Sequence, residues 1–513
     1  MRRLAIFALL ISALPFLAQR SSGARAADVT VGQLEDADAL DPTLGGTIGG
    51  REIFANMCEK LYDLNAGGQV VPELAAALPE ISPDGRTATI RLRDGIKFND
   101  GSAFDASAVR TTLERDKTMP GSRRKGELAS IETIDVADPA TLILHLNHPN
   151  ASLAAALADR AGMIMSPAQL AKLGDKFGTS PVCVGPFMFV ERSPGDQTVL
   201  RKSNVYYGSS LGSIDRLIFK PIPDESVRAA NLEAGAIQVA DRLGATDIGR
   251  LERDPHIKVQ QIPSNAYMTL VVNTNNAHGL DKPPAVPDRP LANPKLRQAF
   301  ELGVDRNQIN QVVFQGTQIP NCGPLSPASP WYTDVECPKY DPAAAKQLIA
   351  AAGVTAPVPV TILVPNNPAL VRMVQLIQSQ EAAAGFQVTV QPGETVAVAT
   401  QAANGNFDIL VDEFSGRVDP DLNIANYHAS NGGDNYAHAA DKSIDDLLDQ
   451  ARSEFDVARR KALYADIVRA IRERRNLIYL YSEKIVTGYS TKIVGYEDFM
   501  DGLPRLGHAR LAP

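Results

Sequence analysis

The first 26 residues constrain this chain more than any other feature, because they determine the compartment in which it folds. Arg2 and Arg3 precede an apolar run over residues 4–18, and residues 24–26 read Ala-Arg-Ala, a small-x-small cleavage pattern. A helix over the apolar run would be about 22 Å long at ~1.5 Å per residue, whereas the hydrocarbon core of a bilayer is ~30 Å thick. We therefore predict a signal peptide cleaved after Ala26, rather than a membrane anchor, and a periplasmic mature protein.

The charge of the mature chain argues against one large class of partners. The full chain has 51 Lys and Arg against 59 Asp and Glu, a net charge of −8, and four of the arginines lie in the leader. Without the leader, 47 basic residues face 59 acidic ones, so the net charge becomes −12. Nucleic-acid-binding proteins need clustered Lys and Arg, so we expect no nucleic-acid partner. A chain of 513 residues, 44% of them hydrophobic, can form two or three folded domains.

Export makes the four cysteines informative, because pairing is expected outside the cytosol. Cys322 and Cys337 flank a loop rich in Pro and Ser, and a bridge there would contribute about 3 kcal/mol in the chain-entropy model. Cys58 and Cys183 would then pair with each other, although four cysteines formally allow three connectivities. Neither pair has the CxxC spacing or the nearby histidines of a zinc site, so we expect no metal and no cofactor.

Strand-like and helix-like segments alternate along the mature chain, which favours a mixed α/β fold. Residues 87–93, TATIRLR, alternate as a half-buried strand does, and Asp105 or Ser107 can cap the helix that follows. Near the C-terminus, apolar residues have helical spacing at 444, 447, 448, 451 and 455, and again at 463, 467, 468 and 471. The proline-rich stretch 276–294 and the apolar run 477–481 could be two crossings between domains.

The stretch 74–115, LAAALPEISPDGRTATIRLRDGIKFNDGSAFDASAVRTTLER, closely resembles the signature of the extracellular solute-binding proteins of family 5. These are the peptide, nickel and oligosaccharide receptors of ABC importers. Further segments resemble that family in the expected order over nearly the whole mature chain: VCVGPFMFVE at 182–191, VVNTNN at 271–276, LRQAFELGVDRNQI at 296–309, YDPAAAKQLIAAAG at 340–353 and DPDLNIANYHASNGGDNY at 419–436. The segments 296–309 and 340–353 look like two of the family's helices.

The resemblance implies an α/β, two-lobed periplasmic-binding-protein fold of the large class with an extra inserted subdomain, in which a hinge closes a cleft over a solute. It divides the chain into the signal peptide 1–26, lobe I 27–71, the inserted subdomain 72–165, lobe I again 166–272, lobe II 273–480 and lobe I again 481–513. It also implies a monomer without enzyme activity. The implied partners are a small-molecule solute and the permease and ATPase subunits of an ABC importer.

Residues 414–421, FSGRVDPD, carry the most specific hypothesis about the ligand. In dipeptide receptors of the resembled family, an aromatic residue and an Asp before the DPD triplet help to hold the peptide's ammonium group. Here Phe414 is the aromatic residue, Asp419 begins the triplet, and Arg417 stands nearest to the place of the ammonium-binding Asp. A guanidinium holds a carboxylate or phosphate bidentately, so we predict an anionic or carboxylate-bearing ligand. The alternative is that Arg417 pairs with Asp419 or Asp421 as a structural clamp.

The other candidate ligand contacts each have a structural alternative. They are Thr47 and Arg51 in a glycine-rich loop, Tyr267 before the crossing strand, Trp331 in the loop between Cys322 and Cys337, and Tyr436 after the DPD segment. The glycine-rich loop could be only a turn, Tyr267 a packed core tyrosine, and Trp331 a residue that only folds its own loop.

Two other functions compete with solute import. A solute sensor would need the same cleft, and residues 208–212, GSSLG, match the GxSxG pattern of a hydrolase whose nucleophile would be Ser210. That pattern requires a preceding buried strand and a following helix, whereas SNVYY and SIDRL indicate a loop that enters a strand. We therefore expect a receptor rather than a hydrolase.

Overall fold

The computed structural model describes residues 27–209, 211–497 and 499–512. The predicted signal peptide lies outside these residues, and so does Ser210 of the GxSxG pattern. Within the described part of the chain, no helix combines the length and the apolar character needed to cross a membrane.

The described strands are β1 (Asp28–Gln33), β2 (Tyr62–Leu64), β3 (Val70–Pro72), β4 (Glu80–Ile81), β5 (Thr87–Arg91), β6 (Ile131–Asp138), β7 (Thr141–Leu146), β8 (Phe187–Ser193), β9 (Gln197–Lys202), β10 (Arg216–Pro221), β11 (Val239–Ala240), β12 (Ile257–Val272), β13 (Ile319–Pro320), β14 (Val358–Pro365), β15 (Phe386–Gly393), β16 (Ile409–Phe414), β17 (Leu477–Ser490), β18 (Ile493–Val494) and β19 (Arg510–Leu511).

The described α-helices are α1 (Ile48–Met57), α2 (Ala106–Thr118), α3 (Leu153–Ala156), α4 (Pro167–Leu173), α5 (Glu225–Glu233), α6 (Ala245–Leu251), α7 (Pro294–Leu302), α8 (Arg306–Phe314), α9 (Pro342–Ala351), α10 (Pro368–Ala384), α11 (Thr395–Ala403), α12 (Pro420–His428), α13 (Lys442–Ser453) and α14 (Val457–Arg474). Short 3-10 helices span Arg160–Gly162, Gly174–Thr179 and Pro290–Ala292.

Local sequence patterns explain where several of these elements form. In β5, Ala88 and Ile90 are buried and Arg91 is exposed, which confirms the alternation expected there. Helix α2 begins after Asp105, whose side chain accepts a hydrogen bond from the backbone N–H of Ala108. Of the two predicted caps, the structure therefore uses Asp105.

Two expected helical segments differ in extent from the prediction. The segment 296–309 belongs to two helices, because α7 ends before Gly303 and the Asp305 side chain caps α8 by accepting from the backbone N–H of Gln308. The apolar stripe expected to reach residue 455 is shorter, since α13 ends at Ser453 and Phe455 lies exposed beyond it.

One large mixed sheet organises the molecule, with the strand order β15-β14-β16-β12-β17-β11-β1-β10-β9-β8 and with β13 beside β17. Its long strands β12 and β17 pair antiparallel along most of their length. The end of β12 also pairs with β16, and the end of β17 with β11. We call the half with β1 and β8–β11 lobe I and the half with β14–β16 lobe II. The chain passes between the lobes in β12 and β17, so the first passage lies before the proline-rich stretch 276–294.

Separate hydrophobic cores support this division. In lobe I, Ile53 and Phe54 of α1 share a core with strands β1 and β10. In lobe II, helices α7 and α10 pack on β14 and β15. The four-stranded sheet β4-β5-β7-β6 packs with α2 in a third core drawn from residues 61–184, and we call this unit the subdomain. The bounds assigned to the three units from the sequence stay a prediction.

Both predicted cysteine pairs lie at disulfide distance. The sulfurs of Cys58 and Cys183 are 2.02 Å apart and connect the end of α1 to the segment before β8. Those of Cys322 and Cys337 are 2.16 Å apart and close the loop between β13 and α9.

Candidate ligand-binding site

A small cavity of about 20 Å³, partly open to solvent, lies where lobe I, the subdomain and lobe II meet. Its walls come from α1, from the segment around α3, from the loop after β16 and from the C-terminal segment. The lining residues are Arg51, Ala55, Lys60, Leu64, Ala155, Ala158, Asp159, Met163, Asn265, Gly416, Arg417, Val418, Asp501 and Leu503. The cavity therefore brings together side chains that are hundreds of residues apart in sequence.

The loop that presents Arg417 to the cavity is held by two local features. Gly416 has a φ of +75° and lies so close to β12 that an added Cβ would sit 2.4 Å from the Asn265 carbonyl carbon, so only glycine fits. The Asn423 side chain accepts a hydrogen bond from the backbone N–H of Arg417 at 2.7 Å and donates to its carbonyl oxygen at 2.6 Å. These contacts fix the backbone from which the Arg417 side chain extends.

Arg51 enters the same cavity from lobe I. Helix α1 begins after Thr47, whose hydroxyl oxygen accepts from the backbone N–H of Gly50, and Arg51 lies one turn into the helix. The Arg51 side chain is 3% exposed, donates from Nη1 to Ser415 Oγ at 3.1 Å, and donates from Nη2 to Asp159 at 3.0 Å. The bond to Ser415 crosses from lobe I to lobe II.

Asp159 of the subdomain joins the two arginines. Its Oδ2 lies 2.7 Å from Arg417 Nε and 3.0 Å from Arg51 Nη2. Burial by itself would raise the pKa of Asp159, but the Arg51 and Arg417 guanidiniums outweigh it and hold that pKa well below its usual range. One carboxylate therefore pairs with two guanidiniums, one from each lobe.

The structural clamp considered for Arg417 is not formed with the residues expected. Asp419 instead accepts from Arg460 Nη1 and Nη2 at 2.7 and 2.8 Å, and Asp421 accepts from Arg452 Nε at 2.9 Å. Because each aspartate already has an arginine partner, Arg417 extends to Asp159 across the cleft.

The electrostatic balance of the cavity leaves positive charge in excess. Lys60 is paired with Asp63 and Glu73, and Asp501 with Arg505, so these lining charges are compensated locally. Arg51 and Arg417 share the single Asp159 carboxylate, and the buried Nε of Arg51 has no hydrogen-bond partner among the described residues. A buried donor without a partner costs about 1–3 kcal/mol, so an anionic group in the cavity would be stabilised there.

Aromatic side chains support the Arg417 loop from below. Phe414 is 6% exposed, and its ring centroid lies 5.5 Å from those of Tyr267 and Tyr427. The Arg417 guanidinium carbon lies 5.2 Å from the centre of the Phe414 ring, within the range of a cation–π contact. The Tyr267 hydroxyl donates to the Asn423 carbonyl oxygen at 2.8 Å, so Tyr267 is a packed residue under the site.

Of the eight predicted ligand contacts, Arg51 and Arg417 line the cavity, and the structure places the others around or away from it. Thr47 caps α1, and Asp419 caps α12 besides pairing with Arg460. Trp331 packs beside Tyr464 under the Arg460 guanidinium. Tyr436 is half-buried against the aromatic cluster that contains Phe414. Ligand contact by these residues stays a prediction.

Sequence reasoning missed Asp159, Asn265 and Asp501, which also line the cavity. Asp159 lies in the run AALADRAG, which has no motif and resembles an ordinary helix end. Its importance arises from the two arginines that meet it in space, and no spacing in the sequence indicates that meeting.

Comparisons with known proteins agree with this architecture. Residues 69–436 match the family model described as bacterial extracellular solute-binding proteins, family 5 Middle. The glutathione-binding protein GsiB of Shigella dysenteriae serotype 1 and that of Escherichia coli K12 are each 26% identical to this chain over 483 residues, which cover 92% of this chain and 92% of each relative.

Solved structures show the same fold. The binding protein AgaA from A. tumefaciens R10, in complex with agropinic acid, superposes with a TM-score of 0.84 at 25% identity and covers 95% of this chain and 99% of its own. DppA from Helicobacter pylori, in complex with the peptide STSA, superposes with a TM-score of 0.84 at 23% identity and covers 95% of this chain and 98% of its own. The two-lobed fold expected from the sequence is confirmed, and the chain belongs to family 5 of the bacterial extracellular solute-binding proteins.

Proposed function

We propose that the protein is the periplasmic receptor of an ABC importer that captures a small carboxylate-bearing organic solute between its lobes. It would pass that solute, as a monomer, to the permease and ATPase subunits. The family membership, the interlobe cavity and the exported character of the sequence support this proposal. The relatives that bind glutathione and agropinic acid are consistent with a ligand that carries carboxylates.

The convergence of Arg51 and Arg417 on one carboxylate carries the proposal. The Asp159 carboxylate is a protein group, but it accepts from both guanidiniums as the carboxylate of a ligand would. A ligand carboxylate bound beside it would contact lobe I through Arg51 and lobe II through Arg417. The closed form would then bind the ligand more tightly than the open form, which is what drives closure.

The attraction between the ligand and the protein must be local. The mature chain is acidic, so its long-range field repels an anion, and the field is screened within about 8 Å at physiological ionic strength. The two arginines act at contact distance inside the cleft, where screening is weak. Salt should therefore change the affinity for the ligand only modestly.

Calorimetric titration of the purified mature protein with a panel of mono- and dicarboxylates tests this function. We expect Arg417→Ala to weaken the binding of each carboxylate that binds the wild type by about thirtyfold, since a charge-assisted hydrogen bond contributes about 1.5–3 kcal/mol. Arg417→Lys should recover only part of this loss, because an ammonium lacks the planar fork. Arg459→Ala is the matched control, since Arg459 of α14 is exposed and pairs with Glu454, the residue after α13.

Unchanged carboxylate affinity in Arg417→Ala would contradict the proposed ligand class. Delivery to an importer is tested separately by deleting the gene and measuring uptake of the same carboxylate in cells. Normal uptake in the deletion strain would contradict the transport role while leaving the binding result intact.

A further inference from the structure

The loop that Cys322 and Cys337 close lies along α14. Two of its carbonyl oxygens accept hydrogen bonds from side chains of that helix: Cys322 accepts from Arg472 Nη1 at 2.8 Å, and Pro330 accepts from Lys461 Nζ at 2.8 Å. Apolar side chains of the loop pack on the core that α13 and α14 share. The disulfide and these contacts together hold the loop in a defined position on α14.

The loop places Trp331 beside one arginine of that helix. The Arg460 guanidinium carbon lies 5.0 Å from the centre of the Trp331 ring and 5.3 Å from that of Tyr464, within the range of cation–π contacts. The two rings are 6.2 Å apart in an edge-to-face arrangement. Arg460 is buried, and a cation–π contact is stronger away from water. Trp331 therefore helps to hold the Arg460 guanidinium in place.

Arg460 in turn holds the start of α12. Its Nη1 and Nη2 donate to the two carboxylate oxygens of Asp419 at 2.7 and 2.8 Å, and the two side chains are only 5% and 7% exposed. Asp419 also caps α12, because its Oδ1 accepts from the backbone N–H of Asp421 at 3.0 Å. Removing one partner of a buried pair leaves the other charge uncompensated, so the start of α12 depends on Arg460.

The start of α12 determines where Arg417 of the cavity stands. Arg417 lies two residues before Asp419, and Asn423, in the first turn of α12, bonds both the backbone N–H and the carbonyl oxygen of Arg417 at 2.7 and 2.6 Å. Val418, which lies between Arg417 and Asp419, lines the cavity and packs against the core of the subdomain. A continuous series of contacts thus joins the disulfide-closed loop to the cavity.

We propose that Arg460 and Trp331 are positioning residues for solute capture, and that the bridge between Cys322 and Cys337 raises the affinity by holding Trp331 against Arg460. This inference rests on the proposed function and adds a remote support to its site. An Arg417 that is already ordered loses less conformational freedom when a carboxylate binds, so the support strengthens binding. Because coupling between two sites is reciprocal, a bound carboxylate also changes the contacts of Trp331.

Tryptophan emission and calorimetry on the purified mature protein test this coupling. Trp331 is the single tryptophan of the chain, so all of the tryptophan emission comes from this position. The probes are acetate, succinate, glutarate and citrate, each titrated by both methods. We expect the emission of the wild type to change with each carboxylate that binds, and to saturate with the dissociation constant that calorimetry gives.

Variants along the series separate positioning from folding. Arg460→Met should weaken carboxylate binding about tenfold, and Arg460→Lys should recover part of that loss. Trp331→Ala should weaken it about threefold, and Trp331→Phe, which keeps a ring beside the guanidinium, should recover most of that loss. Cys322→Ser combined with Cys337→Ser should behave like Trp331→Ala. Each affinity is measured well below the Tm of its variant, where a purely structural role would leave it unchanged. Arg459→Ala, at the adjacent exposed position, is the matched control.

Full carboxylate affinity in Arg460→Met would overturn the inference and leave the proposed function intact. Should Arg460→Met not fold, full affinity in Trp331→Ala would do the same. A wild-type emission that stays constant while calorimetry shows binding would also overturn it. Absence of binding by the wild type with all four probes would instead count against the proposed function, and the inference would fail with it.

Discussion

Replacing Asp159 with asparagine removes the charge that holds Arg51 and Arg417 together while keeping the shape of the side chain. The side chains of the three residues are 9%, 3% and 11% exposed, and the two ion pairs measure 3.0 and 2.7 Å. At an effective dielectric of about 20, each pair contributes about 6 kcal/mol of Coulomb attraction, most of which is offset by the several kcal/mol that it costs to desolvate each buried ion. We therefore expect Asp159→Asn to lower the free energy of unfolding by about 3 kcal/mol.

Equilibrium unfolding at several pH values measures this loss. For a chain of roughly 490 residues, 3 kcal/mol corresponds to a fall of about 3 °C in Tm at ~2.1 cal/mol/K per residue. The folded-state pKa of Asp159 is lowered, so its contribution is present above the unfolded pKa of about 3.8 and is lost as the pH falls through the folded value. The difference between wild type and variant should thus be full at pH 7 and narrow below about pH 4.

The same variant should also loosen the closed arrangement of the lobes, because the pair between Arg417 and Asp159 crosses the cleft. Small-angle X-ray scattering without ligand should show a larger radius of gyration for Asp159→Asn. Asp466→Asn is the control, since Asp466 pairs with Arg469 on the exposed face of α14 and should cost less than about 1 kcal/mol. A loss below about 1 kcal/mol for Asp159→Asn, or a loss that is the same at pH 3 and pH 7, would refute the reasoning.

Three further predictions follow from contacts outside this pair. Replacing both Cys58 and Cys183, which are 125 residues apart, should cost about 5 kcal/mol of stability in the chain-entropy model, against about 3 kcal/mol for the other bridge, and denaturant midpoints measure both losses. Glu381 of α10 is fully buried, neither of its carboxyl oxygens accepts a hydrogen bond from the described residues, and burial raises its pKa well above the usual range. The free energy of unfolding of the wild type should therefore fall as the pH rises above about 4.5. Glu381→Met should raise Tm at pH 7 but scarcely at pH 4, because the methionine carries no buried charge. An unchanged Tm of this variant at pH 7 would contradict the reasoning. Asn423→Ala should free the Arg417 backbone and weaken carboxylate binding about tenfold by calorimetry, whereas an unchanged affinity would show that the loop holds its shape without that clamp.

Local patterns in the sequence were sufficient for much of the fold. The alternation in β5, the Asp105 cap of α2 and the pairing of the cysteines appear in the structure as expected, because each depends on near neighbours or on a small set of possibilities. The break at Gly303 and the end of α13 were missed, since apolar spacing continued across both and capping decided the boundaries.

Local patterns in the sequence predicted only part of the candidate site. Arg417 could be singled out because its segment resembles a family motif and departs from it at one position. The partner of Asp419 could not be predicted from the sequence. Asp419 pairs with Arg460 of another helix, and only the tertiary structure brings α14 close to the start of α12.

The sequence by itself predicted a signal peptide, an α/β chain and paired cysteines, and the family resemblance drew attention to Arg417 where an acid is expected before the DPD triplet. The first three follow from composition, periodicity or a contiguous motif, and the fourth from the resemblance. Only the tertiary structure decided that Arg417 and Arg51 meet at Asp159. Those meetings join residues hundreds of positions apart, and they exist because β12 and β17 carry the chain twice between the lobes and fold both faces of the cleft onto each other.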